Sequence, residues 1–298
     1  MIDLQVIADK VNPGFLALRQ AARSHDDAQH QCGVIRNRYA NDPDPLSGEL
    51  LEAAAHLEAV AKRKIIAIYR EVVPVGVRQL VKATPGLSEY QIGRLLGEAG
   101  HPRLATSYKQ VDNPDFDPEQ PQSRTNEKRK AFPDELYLRS KSQWRQRCGY
   151  GSPGRHKAGE TQEYALSRGL PKAKKIVWQM IGGQGGAAFQ NGVADKNGRS
   201  RGFSPYNAII QEVKAEYAEK LHTGPCSGGY VSAFGKVVFA KCKIGEDGRI
   251  VDKGQPKVRY AEAGDPFSPS HIQATAFRQA GRQLLEDIFD AAEEDWTQ

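Results

Sequence analysis

Apolar residues recur every three or four positions through most of the chain, so helices dominate the expectation. Val6, Ile7, Val11, Phe15, Leu18 and Ala22 make a first stripe, which Asn12-Pro13-Gly14 is expected to break. A second, polar helix should run on to Arg36-Asn37-Arg38-Tyr39, before the loop Asn41-Asp42-Pro43-Asp44-Pro45. Leu50, Ala54, Leu57, Ala61, Ile65, Ile68 and Val72 then mark one long helix from Leu46 to Val73, ended by Pro74. Its stripe suits either a dimerising coiled coil or packing within the subunit. After a helical run ending at Lys82, Ala83-Thr84-Pro85-Gly86-Leu87 reads as a tight turn. Ser88 is an N-cap with Gln91 three positions on, and Ile92, Leu95, Leu96 and Ala99 form the apolar face of the next helix. Gly100 and Pro102 stop it. The stretch Leu80–Pro102 is therefore expected to be a helix-hairpin-helix.

From Val111 to Glu135 the pattern is lost in prolines and acids, and a linker or long surface loop is expected. A short basic helix should follow over Leu136–Arg147, then a glycine-bearing basic loop, then a helix over Lys172–Ile181 with Pro171 at its first position. Gly182–Gly202 is a glycine-rich loop without the GxxxxGK[ST] pattern of a P-loop. Ser204-Pro205 opens a helix with Tyr206, Ile209, Val213, Tyr217 and Leu221 inward. Residues 229–260 switch to alternating β-type patterning with an Asp247-Gly248 turn, so a β-hairpin inserted between helices is expected. Ser270 is the expected N-cap of a last helix reaching about Trp296, with Phe277, Ala280, Leu284, Ile288 and Ala291 as its stripe. The expected fold is thus mainly α, a helical bundle. Its expected units are an N-terminal helical segment (1–73), the helix-hairpin-helix (74–110), a linker (111–135) and a basic helical domain with the hairpin insertion (136–298).

Charge sharpens this picture. The chain carries 42 Lys and Arg against 36 Asp and Glu, a net charge of +6, which favours a polyanionic partner. Between Arg139 and Lys175 the basic residues crowd: Arg139, Lys141, Arg145, Arg147, Arg155, His156, Lys157, Arg168, Lys172, Lys174 and Lys175, with Trp144 and Tyr150 interleaved. Lys196, Arg199 and Arg201 follow in the glycine-rich loop. Cations on glycine-bearing loops suit phosphate tracking, against the alternative of a solvated basic face. The hairpin adds Gly86, Leu87 and Ser88, whose backbone amides could meet a phosphate, flanked by Lys82 and Arg94.

Metal chemistry is not expected. Cys32, Cys148, Cys226 and Cys242 are scattered without a CxxC pair, which argues against zinc and against a disulfide framework, and suits a reducing cytoplasm. His25, His30 and Cys32 match no metal spacing and read as structural or surface residues. Asp112, Asp115, Asp117 and Glu119 are separated by prolines and read as a solvated loop rather than a divalent-metal site. The first residues, MIDLQVIADKVNPG, do not read as a signal peptide. No apolar run approaches the roughly 18 residues of a membrane span, so no membrane contact is expected.

The order of these motifs resembles the C-terminal part of IS-one-ten family transposases, relatives of the Piv and MooV invertases. TPGLSEYQIGRLLGEAGHP resembles that family's I-P-G-I-G hairpin, helix and E-I-G-D stretch, through Pro85, Gly86, Glu98, Gly100 and Pro102. RCGYGSPGRHKAG is similar to its a-G-L-x-P-x-x-x-S-S-G loop, and LSRGLPKAKKIVW to its t-K-x-G-N-x-x-L-R helix start. SPYNAIIQEVKAEYAEKL and HIQATAFRQAGRQLLEDIF resemble the closing helices of a related group, over a total span of about Leu80–Phe289.

The resemblance implies a DNA-binding protein with a role in transposition or recombination, and a guide RNA as a further partner. Ser88 stands at the family's second hairpin glycine, and Lys157-Ala158-Gly159 stands where the family has its catalytic serine. Residues 1–73 read as helices, without the strands of the family's RuvC-like nuclease. No cofactor is expected for a binding protein. An active recombinase would need another nucleophile, with Ser152 and Ser167 the nearest hydroxyls, and Mg2+. A third alternative is a structural protein whose hairpin only packs helices.

Overall fold

A computed structural model describes residues 4–41, 45–112, 129–151, 169–182, 202–224, 226, 229–231, 237–239, 242–251 and 259–293. The fold is mainly helical. In chain order the helices are α1 (Leu4–Asn41), α2 (Pro45–Val72), α3 (Val75–Ala83), α4 (Glu89–Ala99), α5 (Lys141–Arg147), α6 (Pro171–Ile181), α7 (Pro205–Glu219) and α8 (Pro269–Ala291). Among the described residues three small two-stranded antiparallel pieces accompany them. They are β1 (Leu104–Asp112) with β2 (Arg129–Leu138), β3 (Gly229–Val231) with β4 (Val237–Phe239), and β5 (Lys243–Ile244) with β6 (Arg259–Tyr260). Among the described residues no helix is long and apolar enough to cross a membrane.

α1 and α2 form a helical hairpin against which α4 packs. The expected break at Pro13 does not occur, and α1 runs through it as one helix. Gly14 has a different use. A Cβ there would lie 2.4 Å from Val72 Cγ1, so the glycine lets the two helices approach closely. Packing along the hairpin outweighs the missing Pro13 hydrogen bond. On α2 the buried face carries Ala54, Ile65, Ile68 and Tyr69, while Leu46, Leu50, Leu57 and Val60 are exposed. Glu58, not Leu57, turns toward α1, where it approaches His25 and Gln29.

α3 and α4 flank the turn Thr84–Ser88. Gly86 has φ 90°, a left-handed geometry that suits only glycine well. The Leu87 N–H donates to Thr84 O at 3.3 Å and closes the turn. Ser88 caps α4 by accepting from the Gln91 N–H at 3.2 Å, as expected. The Gln91 side chain answers to the Ser88 hydroxyl, at 3.0 Å. Ile92, Leu95, Leu96 and Ala99 are fully buried, and Gly100 (φ 84°) ends the helix.

The expected linker is in part a β-ribbon. β1 pairs β2 from Leu104 opposite Leu138 to Asp112 opposite Arg129, with an irregularity between Thr106 and Tyr108. Pro133 lies within β2, opposite Tyr108. Both strands of a two-stranded ribbon are edges, so a proline there breaks no central ladder. Leu136–Leu138 accordingly belong to β2, and the basic helix starts only at Lys141, capped by a Ser140–Gln143 capping box. Trp144 is fully buried and donates its indole N–H to Leu285 O at 3.0 Å, pinning α5 to α8.

Ser204 caps α7, and Tyr206 Oη donates to Asp287 Oδ2 at 2.7 Å. Leu221, expected inside, lies beyond the helix end and is exposed. α8 starts two residues earlier than expected. Ser268 is its N-cap because Pro269 occupies the first helical position, where a missing N–H costs nothing. Of its expected stripe, Phe277, Ala280, Leu284 and Ile288 are buried and Ala291 half-buried. Among the described residues the expected hairpin over 229–260 is two strand pairs, β3 with β4 and β5 with β6, and β5 also accepts the Val251 N–H on Lys243 O at 3.0 Å. A tight Gly245–Gly248 turn does bring Ile250 back against Ile244.

Candidate nucleic-acid interface

The basic residues that sequence spacing singles out separate into two groups in space. Around the α3–α4 turn the arrangement suits an anion poorly. Lys82 is exposed on the last turn of α3. The Leu87 N–H is used within the turn, and Ser88 Oγ is used on Gln91. Glu89 occupies the first turn of α4 and pairs with Arg70 at 2.7 Å, so a carboxylate already sits at the positive helix end.

Arg94 is a correction. It does not flank the turn toward solvent, being only 9% exposed. Its guanidinium donates to Asp26 Oδ1 at 2.6 Å and lies over the Tyr90 ring at 5.6 Å. Tyr90 Oη in turn is 2.7 Å from His25 Nε2. His25 and Cys32 are buried, in keeping with their structural reading, and His30 is exposed. Burial alone would raise the Asp26 carboxyl, but the His25 hydrogen bond, Arg94 and Lys172 outweigh it and hold the group at about 2. This network joins α1, α2 and α4, so Arg94 serves the fold.

The second group lies where α5 ends and α6 begins. Leu170 N–H donates to Arg147 O at 2.8 Å, which sets the start of α6 against the end of α5. Gly169 (φ 113°) permits the contact, since a Cβ there would lie 2.0 Å from Gln146 O. Arg145 and Arg147 stand in the last turn of α5. Lys172, Lys174 and Lys175 stand in the first turns of α6, whose N-cap Leu170 has no side chain able to cap and whose first turn holds no acid. Lysines at the positive end of a helix repel its dipole, an arrangement that an external anion relieves. Lys175 is exposed, and Lys172 is 56% exposed although it reaches toward Asp26 at 3.7 Å and Glu98 at 3.8 Å. Lys174 packs along Gly149.

α8 adds two arginines that the sequence reading missed. Arg282 donates to Tyr150 O at 3.2 Å and to Gly151 O at 3.1 Å. Burial lowers its pKa, and Arg145 lowers it further. Burial likewise lowers that of Arg278, with Arg282 adding to the effect. Arg139 is lowered by burial and then by Arg147, and it donates to His101 O at 2.7 Å. Glu286 pairs with Arg145 and offsets part of this field. The signal for Arg278 and Arg282 was their four-residue spacing, which puts both on one side of α8.

Ser152, Arg155, His156, Lys157, Ser167, Arg168, Arg199 and Arg201 lie outside the described residues, as do Asp115, Asp117 and Glu119. Gly151 and Gly169, the described residues on either side of 152–168, both sit at the basic face. Among the described residues the group best suited to a metal ion is elsewhere: His222, Cys226 and Cys242, all buried, with their donor atoms within 4.8 Å of one another. Compared with family models, curated proteins and solved structures, the chain matches none.

Proposed function

We propose that this protein binds DNA through its phosphate backbone, with the α5–α6 junction and the adjoining side of α8 as the contact face. One observation carries this reading. Arg145, Arg282 and Arg278 gather beside a helix start that carries Lys172, Lys174 and Lys175. Such a concentration of positive charge, offset only in part by Glu286, Asp26 and Glu98, favours a polyanion. The α3–turn–α4 unit acts in this reading as a helix-hairpin-helix that positions the face, since α4 packs on α6 and Lys172 reaches its Glu98. A role in DNA transposition or recombination rests on the motif order alone.

The test is a fluorescence-anisotropy titration of duplex DNA with wild-type protein and with the triple variant K172A/K174A/K175A. The variant should bind more weakly and lose about 0.9 of logarithmic salt slope for each phosphate contact removed. Unchanged affinity and slope would remove α6 from the interface. A single-stranded RNA competitor of equal length, if it binds more tightly than duplex DNA, would shift the reading to RNA.

The exposed Leu46, Leu50, Leu57 and Val60 on α2 support a second copy of the chain as a further partner.

A further inference from the structure

We propose that His222, Cys226 and Cys242 hold a structural zinc ion, with His271 as the fourth ligand. The spacing hides this site, because the four residues come from three separate stretches. His222 and Cys226 follow the end of α7, Cys242 precedes β5, and His271 lies in the first turn of α8. Backbone hydrogen bonds bring the stretches together. Cys226 N–H donates to Ala261 O at 2.9 Å, and Ala261 N–H donates to Cys242 O at 3.0 Å. His222 N–H donates to Asp265 O at 2.8 Å, and Gly264 N–H returns to His222 O at 2.8 Å.

The donor atoms suit a tetrahedral ion. Zn–S bonds of about 2.3 Å and Zn–N bonds of about 2.0–2.1 Å place neighbouring donors about 3.3–3.8 Å apart. The donors of His222, Cys226 and Cys242 all lie within 4.8 Å of one another, and His271 Nδ1 is 3.8 Å from Cys242 Sγ. Closing His222, Cys226 and Cys242 around an ion shortens their donor separations by about 1 Å, and His271, which already meets Cys242, turns inward to complete the set.

Independent features of the site point to a ligand. His222 Nε2 is buried and makes no hydrogen bond, which is costly for an imidazole that is only 7% exposed. The sulfurs accept from the chain, as metal thiolates do. Cys242 N–H donates to Cys226 Sγ at 3.3 Å, and Ser268 N–H donates to Cys242 Sγ at 3.3 Å. The Phe267 ring lies 3.9 Å from His222 and 4.9 Å from His271, holding both imidazoles in place.

The local core explains why an ion is needed. Apart from the two cysteines it consists of Ile244 and Ala261, with Ile250 against them. That is too little apolar surface to order the described residues between 221 and 268, and small units of this kind are commonly closed by metal. Four protein ligands leave no open position, so the ion is structural rather than catalytic. On binding, Cys226 and Cys242 become thiolates, and their protons pass to solvent.

The full-length, untagged protein tests the site. After reduction and reconstitution, elemental analysis should find one zinc per chain. Cobalt substituted for zinc should give thiolate charge-transfer bands and the strong visible bands of a tetrahedral ion. C226S/C242S should lose both the metal and these bands, while C32A/C148A keeps them. Zinc should also shield Cys226 and Cys242 of the wild-type chain from alkylation, a readout that needs no variant to fold. H271A should weaken zinc yet keep the thiolate bands, and unchanged affinity would overturn the fourth-ligand assignment. The proposal is overturned by a reconstituted wild-type chain without stoichiometric metal, by cobalt spectra lacking thiolate bands, by alkylation indifferent to zinc, or by a Cys226–Cys242 disulfide in the reduced preparation.

Discussion

Replacing Arg94 with methionine separates a structural role from a DNA-contacting one. The substitution keeps most of the apolar stem and removes the guanidinium that is 2.6 Å from Asp26 Oδ1. Asp26 falls from its ordinary 3.8 to about 2 in the folded chain. That difference is worth about 2 kcal/mol in favour of the folded state, shared among His25, Arg94 and Lys172. Arg94 therefore accounts for about 1 kcal/mol through Asp26. Losing its contact over the Tyr90 ring, 5.6 Å from the guanidinium, adds up to about 1 kcal/mol. R94M should cost about 2 kcal/mol, or about 3 °C of melting temperature. Urea denaturation followed by circular dichroism measures the first, and a thermal melt the second. D26N combined with R94M should cost less than the sum of the single changes. The Asp26 contribution is present above the ordinary carboxylate range and is lost as pH falls from about 4 through about 2. DNA affinity, measured where the variant is fully folded, should match wild type. An R94M protein of unchanged stability with weakened DNA binding would refute the reasoning and return Arg94 to the interface.

His101 gives a second pH signature. Burial, with Arg139 and Arg103 nearby, pushes its imidazole down from 6.5 to about 3, while Nδ1 accepts from Arg103 N–H and Leu104 N–H. The unfolded chain takes up a proton below 6.5 and the folded chain does not, so stability should fall by up to about 1.4 kcal/mol per pH unit between 6.5 and 3. Denaturation midpoints that do not move with pH across that window would contradict this. Gly97→Ala should destabilise by about 1–3 kcal/mol despite the better helix propensity of alanine, because its Cβ would lie 2.9 Å from the Leu18 backbone oxygen; a stabilised variant in urea melts would contradict the packing. L50K/L57K should convert a dimer to a monomer in light scattering, and a wild-type monomer at all concentrations would remove the second copy as a partner.

The helices were legible because their stripes are long and their caps explicit. Ser88 and Ser204 cap helices in the structure as expected, whereas Ser140 caps a helix expected to start at Leu136. What failed was local punctuation set against tertiary packing. Pro13-Gly14 reads as a break, yet Gly14 is the point where α1 meets α2. The stripe through Leu50 and Leu57 keeps helical spacing, but Ala54 and Glu58 lie on the buried side because α1 presents His25 and Gln29 there. Prolines suggested a linker where a ribbon forms, since edge strands tolerate them.

The basic face was half legible. Arg145, Arg147, Lys172, Lys174 and Lys175 are indeed together, whereas Arg94 is buried on Asp26 and Arg278 and Arg282 arrive from α8. Local density of charge says nothing about which helices fold onto each other. The same limit hid His222, Cys226 and Cys242, which have no motif spacing and meet only through backbone pairing around Ala261.

The salt dependence of DNA affinity bears most directly on the central reading. Three lysines on α6, if all meet phosphates, give a logarithmic slope of about −2.7 by themselves, and the neighbouring arginines steepen it. A wild-type slope steeper than this, flattened by K172A/K174A/K175A, is the predicted result. Affinity for duplex DNA that is absent, or that does not change with salt, would contradict it.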